Sequence, residues 1–323
     1  MHVSLVCRSN YKAIAAKGVQ LKTRDFGDYH FTPHRAYPSI DAAAQDTPNN
    51  HGGWSFVIVT TKALPDQVDD AASIAPLVRQ GSTAVALVQN GVGIEEPHRR
   101  LFPDNPIVSC VTVISAEQVE HGVVVQNRWT RVSCGPFTDG IGDDTQSDLA
   151  QRGRAATEQL CNWWAKGGIK DAEPHTEKEL QLIRWHKLTI NAAFNPSAVL
   201  SGGLGNARMV LESPELREHV QGCMNEIFSI APKVLNVESF PSNLAAPEKI
   251  LKSTERNSKS AKPSMLLDWE AGRPLELEVI LGNPVRIARN RGYAMPRLQT
   301  MYALLKAAQK EREANKKAER SKL

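Results

Sequence analysis

Lys187, Asn191 and Asn195 recur at every fourth position through "WHKLTINAAFNPSAV" (185–199). On a helix four residues overshoot one turn by roughly 40°, so the three side chains stack along one side with slow drift. Leu180, Ile183, Ile190 and Phe194 form an apolar stripe on the same helix, and Lys187 and Asn191 fall inside it. A single polar residue on such a face snorkels to water or caps local backbone. Three at successive turns are harder to dismiss, because each buried polar group left unpaired costs roughly 1–3 kcal/mol. The spacing predicts a wet cleft beside the helix, where an ammonium and two amides meet a small polar ligand.

The helix that carries them has a clear start. "TEKE" at 176–179 has the Ser/Thr-x-x-Glu form of a capping box, with Glu179 reaching back to Thr176. Before it, the chain has another texture. "HVSLVC" (2–7), "FVIVT" (56–60), "TAVALVQ" (83–89) and "IVSCVTVI" (107–114) are near-continuous apolar runs, as expected of parallel strands buried on both faces. A helical stretch, "LPDQVDDAASIAPLVRQG", lies between the second and third runs, and "GVVVQ" and "RVSCG" are expected to form a terminal hairpin or edge strands. Residues 33–53, rich in Pro, Asn and Gly, are expected to form a mobile loop. After about Lys170 helical patterns take over, at 177–195, 207–235, 244–256, 264–271, 274–291 and 297–320. The expected architecture is a doubly wound α/β domain over residues 1–172, followed by an all-helical domain over 173–323. A cleft between two such domains is a common ligand site.

Composition narrows the function classes. Of 323 residues, 41% are hydrophobic and 23% charged, ordinary for a soluble enzyme. The net charge of +4 is accounted for by the tail from Lys306 onward, so the body is near neutral and offers no basic face for nucleic acid. Five cysteines without a C-x-x-C and nine histidines without an H-E-x-x-H predict neither a disulfide framework nor a metal site; His30, His34 and His51 are expected in solvated loops. No apolar run is long enough to span a bilayer, and "MHVSLVCR" leaves no room for a signal segment before Arg8.

A dinucleotide site should show G-x-G-x-x-G after the first strand, and none is present there. "GGLGNAR" (202–208) follows a helix and carries Arg208 where the third glycine belongs; "GIGDD" (140–144) is a loop. Arg8 closes the first strand seen here; if that is the second strand of a dinucleotide fold, whose following residue reads the adenosine ribose, an arginine there selects a 2′-phosphate and points to NADP(H). "TTKA" (60–63) and "VQNGVG" (88–93) place Lys62 and Asn90 just past strand ends, where open α/β sheets bind ligands. In "PSMLLDWEAGRPLELEVILGNPVRIARNRG" (263–292), Ser264 is expected as an N-cap and Pro284 in a first helical turn. A carboxylate at Glu276 or Glu278 is either on a solvated face or a partner for a buried cation, and spacing alone favours the solvated face.

Together "VSLVCR", "VTTKA", "VQNGVG", "WHKLTINAAFNPSAVL" and "SMLLDWEAGRPLELEVILG", in that order from residue 3 to about 300, resemble the ketopantoate reductase (2-dehydropantoate 2-reductase) family. The resemblance implies a Rossmann-like domain and a helical domain, NADP(H) as cofactor, and reduction of a small 2-keto acid to the hydroxy acid, pantoate in the family. It implies that Lys187 is the general acid for the 2-keto group. Burial would lower its pKa from near 10.4 toward working pH. It assigns Glu276 beside the lysine and substrate hydroxyl, Asn191, Asn195 and Ser264 to substrate hydrogen bonds, and Arg8, Lys62 and Asn90 to the cofactor. It also allows a homodimer through the helical domain.

The front end departs from the family pattern, which opens with a strand, a G-x-G-x-x-G turn and a helix. Here Met1 immediately precedes the second strand of that pattern. The expectation is a coding sequence that starts too late and a shortened chain that binds NADP(H) weakly, with the missing strand central in the order 3-2-1-4-5-6. The alternatives are a non-catalytic relative that keeps the helical domain for binding or assembly, or a reductase of another 2-keto acid. The last residues, Ser321-Lys322-Leu323, match the peroxisomal S-K-L signal read by an import receptor, which predicts a peroxisomal address; the family's usual cytoplasm is the alternative.

Overall fold

The computed structural model describes residues 1–46 and 53–320. They fall into two compact units: Met1–Thr60, Asp69–Gln89 and Glu95–Leu180 in the first, and Thr61–Val68, Asn90–Ile94 and Gln181–Leu323 in the second.

The first unit is the α/β part. Its elements run β1 (Ser4–Val6), α1 (Tyr11–Lys17), β2 (Val19–Thr23), β3 (Tyr29–Phe31), β4 (Arg35–Tyr37), α2 (Ile40–Gln45), β5 (Phe56–Val59), α3 (Asp70–Ile74), β6 (Ala84–Leu87), α4 (Glu96–Leu101), β7 (Ile107–Glu120), β8 (Val123–Pro136), α5 (Asp148–Lys166) and β9 (Asp171–Pro174). A seven-stranded mixed sheet has the order β3-β2-β8-β7-β6-β5, with β9 beside β8; β1 and β4 make a separate parallel pair. Val6 on β1 and Ile58 on β5 stay 43% and 45% exposed. β6, between β5 and β7, is buried throughout, as its unbroken "AVAL" requires.

Three local expectations are corrected. "GVVVQ" and "RVSCG" belong to one strand, β8, which lies inside the sheet between β7 and β2. Residues 33–46 are not a loop. Arg35–Tyr37 pairs with β1, and Ser39 caps α2 by accepting from Ala42 N at 3.1 Å. His30 lies in β3 rather than a loop; His51 and the rest of 47–52 lie outside the described residues.

The second unit holds most of α6 (Glu177–Leu200), then α7 (Asn206–Glu212), α8 (Pro214–Val234), α9 (Pro247–Thr254), α10 (Ser264–Glu270), a π-helical turn (Glu278–Gly282), α11 (Asn283–Asn290) and α12 (Pro296–Arg320). The expected single helix over 207–235 is two, because Pro214 brings no N–H and the chain restarts there with Ser213 accepting from Leu216 N at 3.2 Å. The capping box forms as expected: Thr176 N donates to Glu179 Oε2 at 2.9 Å, and Glu179 N donates to Thr176 Oγ1 at 3.3 Å. Trp185, Leu188, Ala192 and Phe194 are each at most 1% exposed, so α6 is buried on nearly every side. Loops 61–68 and 90–94, which follow β5 and β6, are part of this helical unit.

Candidate active site

Seven of the eight residues singled out in the sequence belong to the second unit. Lys187 is half-buried on α6, and its Nζ donates to Asn90 Oδ1 at 2.7 Å. Asn90 opens the 90–94 loop, which the helical unit holds at several points. Arg184 Nη1 donates to Gly91 O at 2.9 Å, Val92 N donates to Val279 O at 2.9 Å, and Asn283 Nδ2 donates to Val92 O at 2.8 Å. Gly91 has φ +92°, and a Cβ there would lie 2.5 Å from Val279 Cβ. Only glycine combines that backbone with that approach.

The second strand-following loop meets the segment before the π turn. Ala63 N donates to Glu276 Oε1 at 3.1 Å, and Lys62 forms an ion pair with Asp268. Asp268 is 5% exposed and also accepts from Arg273 Nε at 2.8 Å. Glu276 is therefore half-buried with a backbone partner, not on the solvated face that its spacing suggested. Glu278 is 7% exposed and accepts from Arg286 Nη2 at 2.6 Å, Lys306 Nζ at 2.8 Å and Tyr302 Oη at 2.5 Å, so it is not solvated either. It sits in the π turn directly above the segment that carries Glu276.

Electrostatics follow from these surroundings. Burial lowers the pKa of Lys187 to about 8; Arg184 pushes the same way and Glu276 opposes both. Burial raises the carboxyl of Glu276, with Asp268 adding to the rise, while the Ala63 amide, Lys62 and Lys187 resist it. A lysine poised near neutral pH and a carboxyl above its usual range are what proton transfer requires.

Asn191 is half-buried and Asn195 is 6% exposed, and among the described residues neither amide makes a hydrogen bond to the protein. Their positions one and two turns beyond Lys187 leave both free to meet a ligand. Ser264 is exposed. It is the first residue of α10 rather than its cap, a place taken by Pro263, and its hydroxyl caps nothing. Pro284 does occupy the first turn of α11. Arg8 belongs to the first unit, exposed just past β1, with its carbonyl accepting from Tyr11 N at 3.2 Å. Among the described residues no group of His, Cys, Asp and Glu could hold a metal, none of the five cysteines is in a disulfide, and no helix is long and apolar enough to cross a membrane.

Spacing missed Arg184, Asp268 and Asn283. Arg184 stands three residues before Lys187, hence on the same side of α6, a relation readable in "RWHK" only once the helix is known to be buried.

A model described as "Ketopantoate reductase PanE/ApbA" matches residues 1–139, and one described as "Ketopantoate reductase PanE/ApbA C terminal" matches 179–309. The chain belongs to the ketopantoate reductase family, whose members are NAD(P)H-using oxidoreductases. It is 31% identical to an uncharacterized protein of Saccharomyces cerevisiae, over 94% of this chain and 85% of that protein. It is 23% identical to the 2-dehydropantoate 2-reductase of a Nostoc species, over 94% and 86%. Among solved structures, the 2-dehydropantoate 2-reductase of Methylococcus capsulatus superposes with a TM-score of 0.78 at 29% identity, covering 96% of this chain and 90% of that one. A D-mandelate dehydrogenase with NADH and anilino(oxo)acetate shares the fold at 18% identity, TM-score 0.73, covering 97% and 92%.

Proposed function

We propose that this protein reduces the keto group of a small 2-oxo acid, 2-dehydropantoate foremost, with NADPH as hydride donor. The observation that carries the reading is the Lys187–Asn90 hydrogen bond, which brings a half-buried lysine in the middle of α6 to a strand-following loop. Bound nicotinamide would supply the hydride. The chain's residues fit the rest of the chemistry: Lys187 gives a proton to the oxygen that becomes the hydroxyl, Glu276 sits where it can take part in returning it, and Asn191, Asn195 and Ser264 hydrogen-bond the hydroxyl and carboxylate.

For the cofactor, Arg8 supports a 2′-phosphate, because a guanidinium fork suits phosphate, and Lys62 and Asn90 support its nicotinamide end. The sequence contains no G-x-G-x-x-G, so no residue is assigned to the pyrophosphate. The test is turnover by the purified chain with NADPH or NADH across a panel of 2-oxo acids. The panel should include 2-dehydropantoate and aryl-substituted acids such as the one held by the D-mandelate dehydrogenase. Consumption of none of them would overturn the reading. Arg8→Ala should weaken NADPH far more than NADH, and equal losses would remove Arg8 from the site.

We propose a peroxisomal address as well, on Ser321-Lys322-Leu323, which lie outside the described residues and follow α12. A fluorescent protein fused ahead of the intact C-terminus should form puncta with a peroxisomal marker, and deleting the tripeptide should disperse them. Diffuse signal from the intact tail would reject the address.

A further inference from the structure

Gln309 on α12 is 6% exposed, and its Oε1 accepts from the backbone N–H of Leu275 at 2.8 Å. A backbone N–H can only donate, which fixes the amide's oxygen, and not its nitrogen, toward Leu275. Leu275 is 1% exposed and immediately precedes Glu276, in a stretch, 273–276, that belongs to no helix or strand. Chain of that kind has no ladder to fix it, so each backbone bond it makes decides where it lies. Two further residues of α12 hold the same stretch from its other end. Arg312 Nη1 donates to Trp269 O at 3.0 Å and Nη2 to Arg273 O at 2.8 Å, with the guanidinium 4.0 Å from the centroid of the Trp269 ring. Lys316 Nζ donates to Gly272 O at 2.8 Å. Positions 309, 312 and 316 are three and four apart, so they share one face of the helix.

We propose that this face of α12 sets the place of Glu276 against the loop that follows β5, with Gln309 as the positioning residue. The stretch it holds runs between two residues that meet that loop: Asp268, which pairs with Lys62, and Glu276, which accepts from Ala63 N. Without the Gln309 oxygen a buried N–H is left unpaired, and the chain relieves that cost by moving. Glu276, next in sequence, then moves away from the Ala63 amide. The effect on turnover rests on the proposed reductase reading; the effect on geometry does not. A misplacement of about 1 Å, caused far from the chemistry, is enough to cost about a hundredfold in rate.

The experiment is residue-resolved amide exchange by NMR on the substrate-free chain, beside steady-state turnover. Ala63 is 4% exposed, and Gln309→Leu should speed exchange of its amide by about tenfold or more. Amides in the middle of α8, in the same unit, should speed up by a clearly smaller factor. Gln309→Glu keeps an oxygen at the same reach and should restore slow exchange at Ala63. With an accepted 2-oxo acid, Gln309→Leu should lower kcat by about ten- to a hundredfold and leave the KM for NADPH unchanged. On a Glu276→Gln background it should lower kcat no further. Unchanged exchange at Ala63 overturns the proposal. So does equal acceleration at Ala63 and α8, which marks a general loss of stability, or a glutamate variant no better than the leucine one. The exchange readout needs no turnover, so a wild type that reduces no 2-oxo acid removes the reductase reading while the exchange data still decide the positioning. Should Gln309→Leu not fold, Arg312→Gln, at a partly exposed position, releases the Arg273 carbonyl and carries the same expectation at Ala63.

Discussion

Lys187 reaches Asn90 across 97 positions of sequence to make a 2.7 Å hydrogen bond, and that bond ties the half-buried lysine of the helix to the loop after β6. Lys187→Ala should lower kcat by about 10²–10⁴-fold, the range of a lost general acid, with an unchanged circular dichroism spectrum. Near-normal turnover with any accepted 2-oxo acid would take the acid's role away from it.

The same lysine is expected to cost stability. Its folded pKa, about 8, lies below the roughly 10.4 of an unfolded lysine. Folding therefore disfavours the charged form. The penalty is fully present below pH 8 and fades as pH rises from about 8 toward 10. Lys187→Met should then be more stable than wild type at pH 7 by about 1–3 kcal/mol, less what the lost bond to Asn90 returns. Denaturant melts at pH 7 and pH 10 check this, and the gain should shrink at the higher pH. A variant less stable at pH 7 would mean that the lysine is there for structure.

Asn195 is buried without a protein partner among the described residues, so its amide is expected to contribute nothing to folding. Asn195→Leu should leave the melting temperature unchanged or raised, since an isosteric apolar group there satisfies the surroundings. The KM for the 2-oxo acid should rise by about tenfold or more, the loss of one well-placed hydrogen bond to a charged group. A fall in stability with KM intact would reverse the assignment.

The polar line on α6 was legible in the sequence because the four-residue period survives any error in helix ends. The strands β5, β6 and the first half of β7 were equally plain, since strands buried on both faces write themselves as apolar runs. For Glu276 and Glu278 the sequence left open a solvated face or a cation's partner, and spacing favoured the wrong one. Their spacing fits a surface face, and only Ala63 N, over 200 residues away, and the cations of α11 and α12 make burial tolerable. The mixed order of the sheet was hidden for a related reason. β8 is continuous because β7 pairs along its length while β2 joins its first part and β9 its last, and such register depends on distant partners.

Glu278 offers an acid-stability test. Burial alone would raise its pKa, but hydrogen bonds from Lys306, Tyr302 and Arg286 bring it down to about 2. The folded value is below the roughly 4.3 of an unfolded glutamate, so the stabilisation is present above about pH 4 and is lost as pH falls toward 2. Glu278→Gln should cost about 1–3 kcal/mol at pH 7, discounted because the three donors are partly exposed. The gap from wild type should narrow between pH 4 and pH 2. A pH-independent gap would trace the loss to packing of the π turn instead.

Gly91 separates backbone geometry from chemistry. Its φ of +92° is one that side-chain-bearing residues rarely adopt, and an added Cβ would come within 2.6 Å of both Val279 Cγ2 and Val279 O. Gly91→Ala must therefore move the 90–94 loop or the π turn, either of which disturbs the Val92–Val279 and Arg184–Gly91 bonds. It should cost about 2 kcal/mol or more, combining strain with steric overlap. Val279→Ala removes the clash with Cγ2 but leaves those with Cβ and the carbonyl, and the backbone strain. The double variant should thus recover part of the stability lost by Gly91→Ala, measured in a thermodynamic cycle. Turnover should stay depressed, because Asn90 remains displaced from Lys187. Additive effects in the cycle would show that residues 91 and 279 are not in contact.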